Sequence, residues 1–190
     1  MFEIRIHGRG GQGVVTAAEL ISLAAFEDGK WSQAFPSFGS ERTGAPVTAF
    51  CRIHDRAIRT REPVLHPDVV IIQDSTLLHH VDVFGGLSAD GYILINSTRS
   101  VEELGVAELC ATLPVSHAIT LPASDYSMKY LGRPMANTAL VGGFAAMTQL
   151  LSQASIEKVI QQKFPGRLGV LNTMAATEAY GYVSGLLTTA

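Results

Sequence analysis

Six consecutive residues near the N-terminus, Gly8-Arg9-Gly10-Gly11-Gln12-Gly13, put glycines at G-x-G-x-x-G spacing. Glycines at these positions permit a tight turn whose main-chain N–H groups stay uncovered. A helix opening directly after such a turn gathers an anion, above all a phosphate. The chemistry expected here is therefore the binding of a phosphate-bearing molecule. Arg9 points either to solvent or to that phosphate. Gln12 offers an amide that either reaches a ligand or holds the turn. A second polar cluster, Ser37-Phe38-Gly39-Ser40-Glu41-Arg42-Thr43-Gly44, lies further on. Ser37, Ser40, Arg42 and Thr43 can all donate hydrogen bonds to phosphate oxygens, and Arg42 adds charge. The alternative is a surface loop in which Arg42 pairs with Glu41 or with another chain.

These residues need elements to position them, and the chain marks its elements clearly. Residues 3–7 alternate apolar and polar as a half-buried strand does, and the turn follows at once. Residues 12–27 read as a helix with Val14, Ala17, Ala18, Ile21 and Ala25 on one face, and Gly29 is placed for a left-handed cap. Residues 31–35 form a second strand stopped by Pro36. Residues 47–53 form a third, with 57–60 expected to return as its hairpin partner. The runs 69–73 and 92–95 are apolar on both faces, as central parallel strands are, and 115–120 is read as another strand. Asp74 and Ser75 lie at the carboxyl end of a central strand, where ligands of α/β folds bind, and helix capping explains them equally well; Asn137-Thr138 are read as a helix cap.

Residues 136–151 read as a helix apolar nearly all round, so buried on more than one side. Its Gly142-Gly143 pair implies close backbone packing. Another helix starts at Ser155 and is ended by Pro165-Gly166. A last one covers 168–182, leaving 186–190 as a short loose tail. Strands alternating with helices predict an α/β fold: a Rossmann-like three-layer sandwich with a mostly parallel sheet and helices on both faces. No repeat or linker interrupts it, and residues 1–190 read as a single domain.

Several function classes are excluded or weakened. The net charge of −3 over 190 residues does not suit nucleic-acid binding. No apolar run approaches a membrane span; the longest, 139–147, is far too short. No secretory signal is expected, and a cytoplasmic location follows. The apolar content, 47%, is then buried within the domain and against another subunit. Cys51 and Cys110 are two separated cysteines, too few for an iron–sulfur cluster or a structural zinc. They are read as free thiols. His79 and His80 are adjacent and would diverge by about 100° on a helix, so no metal is expected. There is neither a G-x-S-x-G elbow nor a G-x-x-x-x-G-K-[ST] loop. A dinucleotide site would need an acidic residue at the end of the second strand, and Ala34-Phe35-Pro36-Ser37 has none. His7, at a strand end, is read as a structural group. What remains is a binding site without a catalytic engine, so no catalytic residue is assigned.

The run His7-Gly8-Arg9-Gly10-Gly11-Gln12-Gly13-Val14-Val15-Thr16-Ala17-Ala18-Glu19-Leu20 resembles the opening of gamma subunits of the 2-oxoacid:ferredoxin oxidoreductase family, in particular pyruvate:ferredoxin oxidoreductase (pyruvate synthase). Ala25-Phe26-Glu27-Asp28-Gly29-Lys30, Gln33-Ala34-Phe35-Pro36 and Phe38-Gly39-Ser40-Glu41-Arg42-Thr43-Gly44-Ala45-Pro46-Val47 extend the likeness. So do Pro67-Asp68-Val69-Val70-Ile71-Ile72-Gln73-Asp74, Asn137-Thr138-Ala139-Leu140-Val141-Gly142 and Phe164-Pro165-Gly166. The resemblance implies a subunit that is inactive alone. The complete enzyme would convert pyruvate, coenzyme A and oxidised ferredoxin to acetyl-CoA, CO2 and reduced ferredoxin, or run the reverse. Coenzyme A would contact this chain. Thiamine diphosphate, Mg2+ and [4Fe-4S] clusters would be held by alpha, beta and delta-type partner subunits. Carried over, Gly8, Gly10, Gly11, Gln12 and Gly13 match the glycine motif, and Ser40 and Arg42 match the second loop. Thr43 departs from the family, which often has a second arginine there. A branched-chain (2-oxoisovalerate) enzyme and a stand-alone dinucleotide-binding module are the alternatives.

Overall fold

A computed structural model describes residues 1–37 and 43–189. Its strands are β1 (Phe2–Arg9), β2 (Trp31–Pro36), β3 (Pro46–His54), β4 (Val69–Ile72), β5 (Tyr92–Asn96) and β6 (Ala118–Leu121). They form one sheet in the order β2-β3-β1-β4-β5-β6. The helices are α1 (Val14–Glu27), α2 (Ala107–Cys110), α3 (Ala123–Leu131), α4 (Asn137–Thr148), α5 (Gln153–Lys163) and α6 (Arg167–Thr189), with a 3-10 turn at Ser75–His79.

β1, β4, β5 and β6 pair in parallel. All four residues of β4 are buried, as an uninterrupted apolar run in a parallel sheet should be. β3 runs antiparallel to both β1 and β2. The connection from β2 to β3 explains this reversal, because residues 37–45 are too few for a helical crossover and a hairpin is the only short return. The strand expected at 57–60 does not form. With β1 on one side of β3 and β2 on the other, no edge of β3 is left for it to pair with.

Alternate residues of the central strands feed two cores. Ile4, Ile6, Val69, Ile71 and Leu94 join the larger one, under α1, α4, α5 and α6. Val70, Ile72, Ile93 and Ile95 join a smaller one with Leu77, Val83 and Leu104. The second face is thus covered by the 3-10 turn and short segments rather than by long helices. α4 is buried along its whole inward length, from Asn137 to Met147. Its glycines permit that. A Cβ at Gly142 would fall 2.1 Å from the Ala176 carbonyl oxygen of α6, and one at Gly143 would fall 2.5 Å from Leu121 Cδ2.

Some boundaries differ from those expected. α1 starts at Val14 rather than at residue 12, because Gly13 has φ 77° and cannot be helical. β6 starts at Ala118, since Ser116 has φ 67° and interrupts extension there. α6 does not stop at residue 182 to leave a loose tail at 186–190; it runs to Thr189. Val183 is buried and Leu187, one turn on, packs against the same core, so the apolar stripe continues. Ala190 lies outside the described residues. α3 is an addition. Only Ala123 and Ser127 of it are buried, which leaves no apolar period to betray it.

Candidate functional site

The chain leaves β1 towards β2 and β3 on one side, while β4, β5 and β6 build outward on the other. The turn after β1 therefore sits where the two halves part, the usual place for a ligand in such sheets. Its backbone is fixed from three directions. Gln12 N–H donates to the Arg9 carbonyl at 3.0 Å, Gly10 N–H donates to the Ala45 carbonyl at 2.9 Å, and Gly44 N–H donates to the Gly10 carbonyl at 3.1 Å.

The side chains of the turn are spent on the same task. Gln12 Oε1 accepts the Arg9 N–H at 2.7 Å, and Gln12 Nε2 donates to Asp74 Oδ2 at 2.9 Å. Arg9 donates through Nε to Asp74 Oδ2 at 3.1 Å, through Nη1 to the Gly44 carbonyl at 3.1 Å and through Nη2 to Thr76 Oγ1 at 2.8 Å. Asp74 is the hub of this network. Partial burial opposes its charge, but bonds from Thr76 and Gln12 and the Arg9 cation outweigh that and hold its carboxyl below the usual range. Of the two roles open to Gln12, the structure shows the structural one. Arg9 is likewise tied down rather than pointing freely to solvent.

The main chain is another matter. Gly13, in the left-handed conformation, offers no side chain to cap α1, and no acidic residue stands in the first turn. The first intrahelical bond is Ala17 N–H to the Gly13 carbonyl. Among the described residues, the N–H groups of Gly13, Val14, Val15 and Thr16 have no partner. They open onto a cavity of about 380 Å³ whose walls include Gly10, Gly11, Arg9, Arg133, Asn137 and Phe164. Among the described residues, two arginines and no carboxylate line it. The Arg133 side chain is exposed and makes no hydrogen bond or ion pair among the described residues. A positive helix end, free donors and an arginine suit an anion of phosphate type.

Asn137 does not cap α4, as expected; that position is Ala136. Its Oδ1 accepts the Thr138 N–H at 3.0 Å, and its Nδ2 lies against Gly13, where a Cβ would come within 2.6 Å. Behind it, Thr138 Oγ1 donates to Asn172 Oδ1 at 3.0 Å, joining α4 to α6. Asn137, Arg133, Phe164 and Asn172 were not foreseen as lining residues. The only local signal was the polar pair opening an otherwise apolar helix.

The second loop is only partly on view. Ser37 and Thr43 are exposed and do not line this cavity; the Ser37 N–H donates to the Thr48 carbonyl at 2.8 Å. Ser40 and Arg42 lie outside the described residues. His7 behaves as the structural group expected. It is buried, its Nε2 accepts from Arg5 Nε at 3.1 Å, and burial with the Arg5 charge pushes its pKa down to about 4. Cys51 and Cys110 are free, and burial raises both thiols. Among the described residues no three His, Cys, Asp or Glu side chains converge as metal ligands, and no helix is long and apolar enough to cross a membrane.

Across the turn lies a second cavity of about 410 Å³, over the carboxyl ends of β4 and β5, lined by Gln12, Gln73, Asp74, Asn96, Arg99 and Asp125 among others. Asp74 Oδ1 caps the 3-10 turn through the Thr76 N–H at 3.0 Å, which bears out its reading as a cap.

Comparison with known proteins places the chain in a family. Residues 3–182 match the family model of pyruvate ferredoxin/flavodoxin oxidoreductase. The pyruvate synthase subunit PorC of Methanothermobacter marburgensis is 48% identical over 180 residues, covering 95% of this chain and 96% of its own. The common gamma subunit of the pyruvate/ketoisovalerate oxidoreductases of Pyrococcus furiosus is 47% identical, with coverage of 95% and 96%. The crystal structure of the pyruvate oxidoreductase subunit PORC of Thermotoga maritima superposes with a TM-score of 0.80 at 36% identity, over 95% of each chain. A match across nearly the whole chain, at such identity and with a shared fold, leaves one conclusion: the chain belongs to the pyruvate ferredoxin/flavodoxin oxidoreductase family.

Proposed function

We propose that this chain is the gamma subunit of a multisubunit pyruvate:ferredoxin oxidoreductase, and that it holds the phosphates of coenzyme A at the start of α1. The assembled enzyme joins the acyl group of pyruvate to coenzyme A with release of CO2 and reduction of ferredoxin, or runs the reverse. Thiamine diphosphate, Mg2+ and [4Fe-4S] clusters belong to alpha, beta and delta-type partners in the cytoplasm. The observation that carries the coenzyme reading is the row of unpartnered N–H groups from Gly13 to Thr16. Among the described residues it faces a cavity with arginines and no carboxylate. An anion there accepts hydrogen bonds from these donors and sits at the positive end of the helix. The residues assigned to the coenzyme are the turn Gly8–Gly13, together with Arg133 and Asn137. Ser37, Ser40, Arg42 and Thr43 of the second loop remain assigned to it from the sequence.

Titration of the full chain with adenosine 3′,5′-bisphosphate and with NAD tests this by calorimetry. Saturable binding of the bisphosphate and none of NAD is the expected result. The reverse pattern would return the chain to the dinucleotide-binding class. The purified chain alone should oxidise no pyruvate. A second reading is favoured by the Pyrococcus relative, which is named as common to pyruvate and ketoisovalerate oxidoreductases. On that reading this chain serves either substrate and specificity lies with its partners. Exchanging partner subunits in a reconstituted complex would then switch the 2-oxoacid accepted.

A further inference from the structure

Asn137 is the first residue of α4, a helix buried from there to Met147, and it is itself only 3% exposed. One end of its side chain is committed: Oδ1 accepts the Thr138 N–H at 3.0 Å. The other end is not. Nδ2 donates to nothing among the described residues and lies beside Gly13, in the wall of the cavity before α1. A side-chain amide so deeply placed ordinarily finds a partner, because desolvation without a hydrogen bond is costly. The cavity is where that partner belongs.

The amide has one orientation. Reversed, it would set Nδ2 against the Thr138 N–H, donor against donor, and leave that buried N–H unpaired. Thr138 is held as well. It is fully buried, and its Oγ1 donates to Asn172 Oδ1 at 3.0 Å. Asn172 is fixed in turn, since its Nδ2 donates to the Leu168 carbonyl at 2.9 Å. Bonds anchored on α6 thus set the first turn of α4, and what they leave at the start of α1 is a donor.

Stability alone would favour a different residue here. α1 has neither a side-chain cap nor an acidic residue in its first turn. Asn137→Asp keeps the shape, still accepts the Thr138 N–H, and brings negative charge to the positive end of that helix. The same charge would repel any anion and occupy the free N–H groups. We propose that Asn137 is a specificity-determining residue of the phosphate site. Its Nδ2 donates to a phosphate oxygen held by the N–H groups of α1, and Thr138 and Asn172 are the positioning residues that fix it there. This rests on the phosphate reading above and deepens it: one buried carboxamide sets the preference for a negatively charged group that only accepts.

Asn137→Asp in the full chain tests this with two readouts that move in opposite senses. Adenosine 3′,5′-bisphosphate should bind at least about tenfold more weakly by calorimetry. The melting temperature without ligand should rise by about 1–4 °C. Binding lost with a lowered melting temperature would assign Asn137 to the fold and overturn the proposal. Thr138→Val, which keeps the shape and removes the hydroxyl, should weaken the bisphosphate about threefold and displace the Asn137 side-chain amide signals in nuclear magnetic resonance, and Thr138→Ser should restore both. Should Asn137→Asp fail to fold, the wild type decides: its Asn137 side-chain amide signals move when the bisphosphate is added, or the assignment falls. Bisphosphate that binds the wild type and Asn137→Asp equally overturns the role of Asn137 and spares the phosphate reading. A wild-type chain that takes up no bisphosphate overturns the phosphate reading and the assignment with it.

Discussion

The cavity before α1 and the cavity over β4 and β5 are close in size, about 380 and 410 Å³, and are built from the same turn. Their chemistry is opposite. The first presents main-chain donors and arginines. The second presents two aspartates and an arginine. The difference comes from how the turn divides its groups. Its side chains, Arg9 and Gln12, are consumed by Asp74 on the β4 side, which makes the turn rigid. Among the described residues its main chain is left free on the α1 side, because Gly13 has no side chain to cap the helix. A glycine turn of this kind thus leaves its backbone open and braces with its side chains. Arg9 is held by Asp74, Gly44 and Thr76 within the protein.

His7 is buried in β1 just before the turn, and its titration should weaken the fold there. Its pKa of about 4 in the folded chain lies below the ordinary 6.5. The unfolded chain therefore binds the proton first. Stability is full above pH 6.5 and falls as the pH drops from 6.5 to about 4, by about 3 kcal/mol over that window. Urea unfolding of the wild type and of His7→Gln checks this. The difference between their pH profiles should lie in that window, and matching profiles would exclude His7 as the cause.

Gly13→Ala attacks the anion side. The residue has φ 77°, and its new Cβ would meet Asn137 Nδ2 at 2.6 Å. The expected loss is about 2 kcal/mol of stability, together with loss of bisphosphate binding. Gly11→Ala is the control. It has φ 93° and nothing within 4 Å, so its penalty should be the smaller of the two.

Asp74→Asn loosens the shared brace. Bonds from Arg9, Gln12 and Thr76 weaken together, at about 1.5 kcal/mol. Because the folded carboxyl is held below 3.8, this contribution is present above that pH and is lost as the pH falls through the folded value. The wild-type advantage over Asp74→Asn in urea should therefore vanish in strong acid; an advantage that persisted there would mean that the charge of Asp74 is not its source.

The smallest effect belongs to Arg133→Ala. An exposed side chain with no partner among the described residues costs no folding when removed. In the assembled enzyme it should raise KM for coenzyme A about fivefold, roughly 1 kcal/mol, and leave KM for pyruvate alone. Equal changes in both constants would show that the first cavity does not sort the head of the coenzyme from the other substrate.

Much of this was legible in the chain. The strand, turn and helix at residues 2–27, the buried run Val69–Ile72 and the all-round apolar α4 follow from preferences and periodicities acting over a few neighbours. The antiparallel insertion of β3 was not legible, since it depends on which edges remain free once the other strands have paired. Nor was α3, which buries too little to leave a pattern. The tail was misjudged because helix ends are set by what the last turn packs against, here Leu187 on the core.

For the site, local order and assembly part company. Glycine spacing and a helix-forming run were enough to define a turn with free N–H groups, because both act through the backbone of adjacent residues. That Asp74 would claim Gln12 and Arg9, 62 and 65 positions away, was settled only when β4 paired with β1. That Asn137 would reach Gly13 was settled only when α4 came to rest on α6, which it can do because Gly142 has no Cβ to strike the Ala176 carbonyl. Long-range packing chose those partners, and no spacing along the chain encodes them.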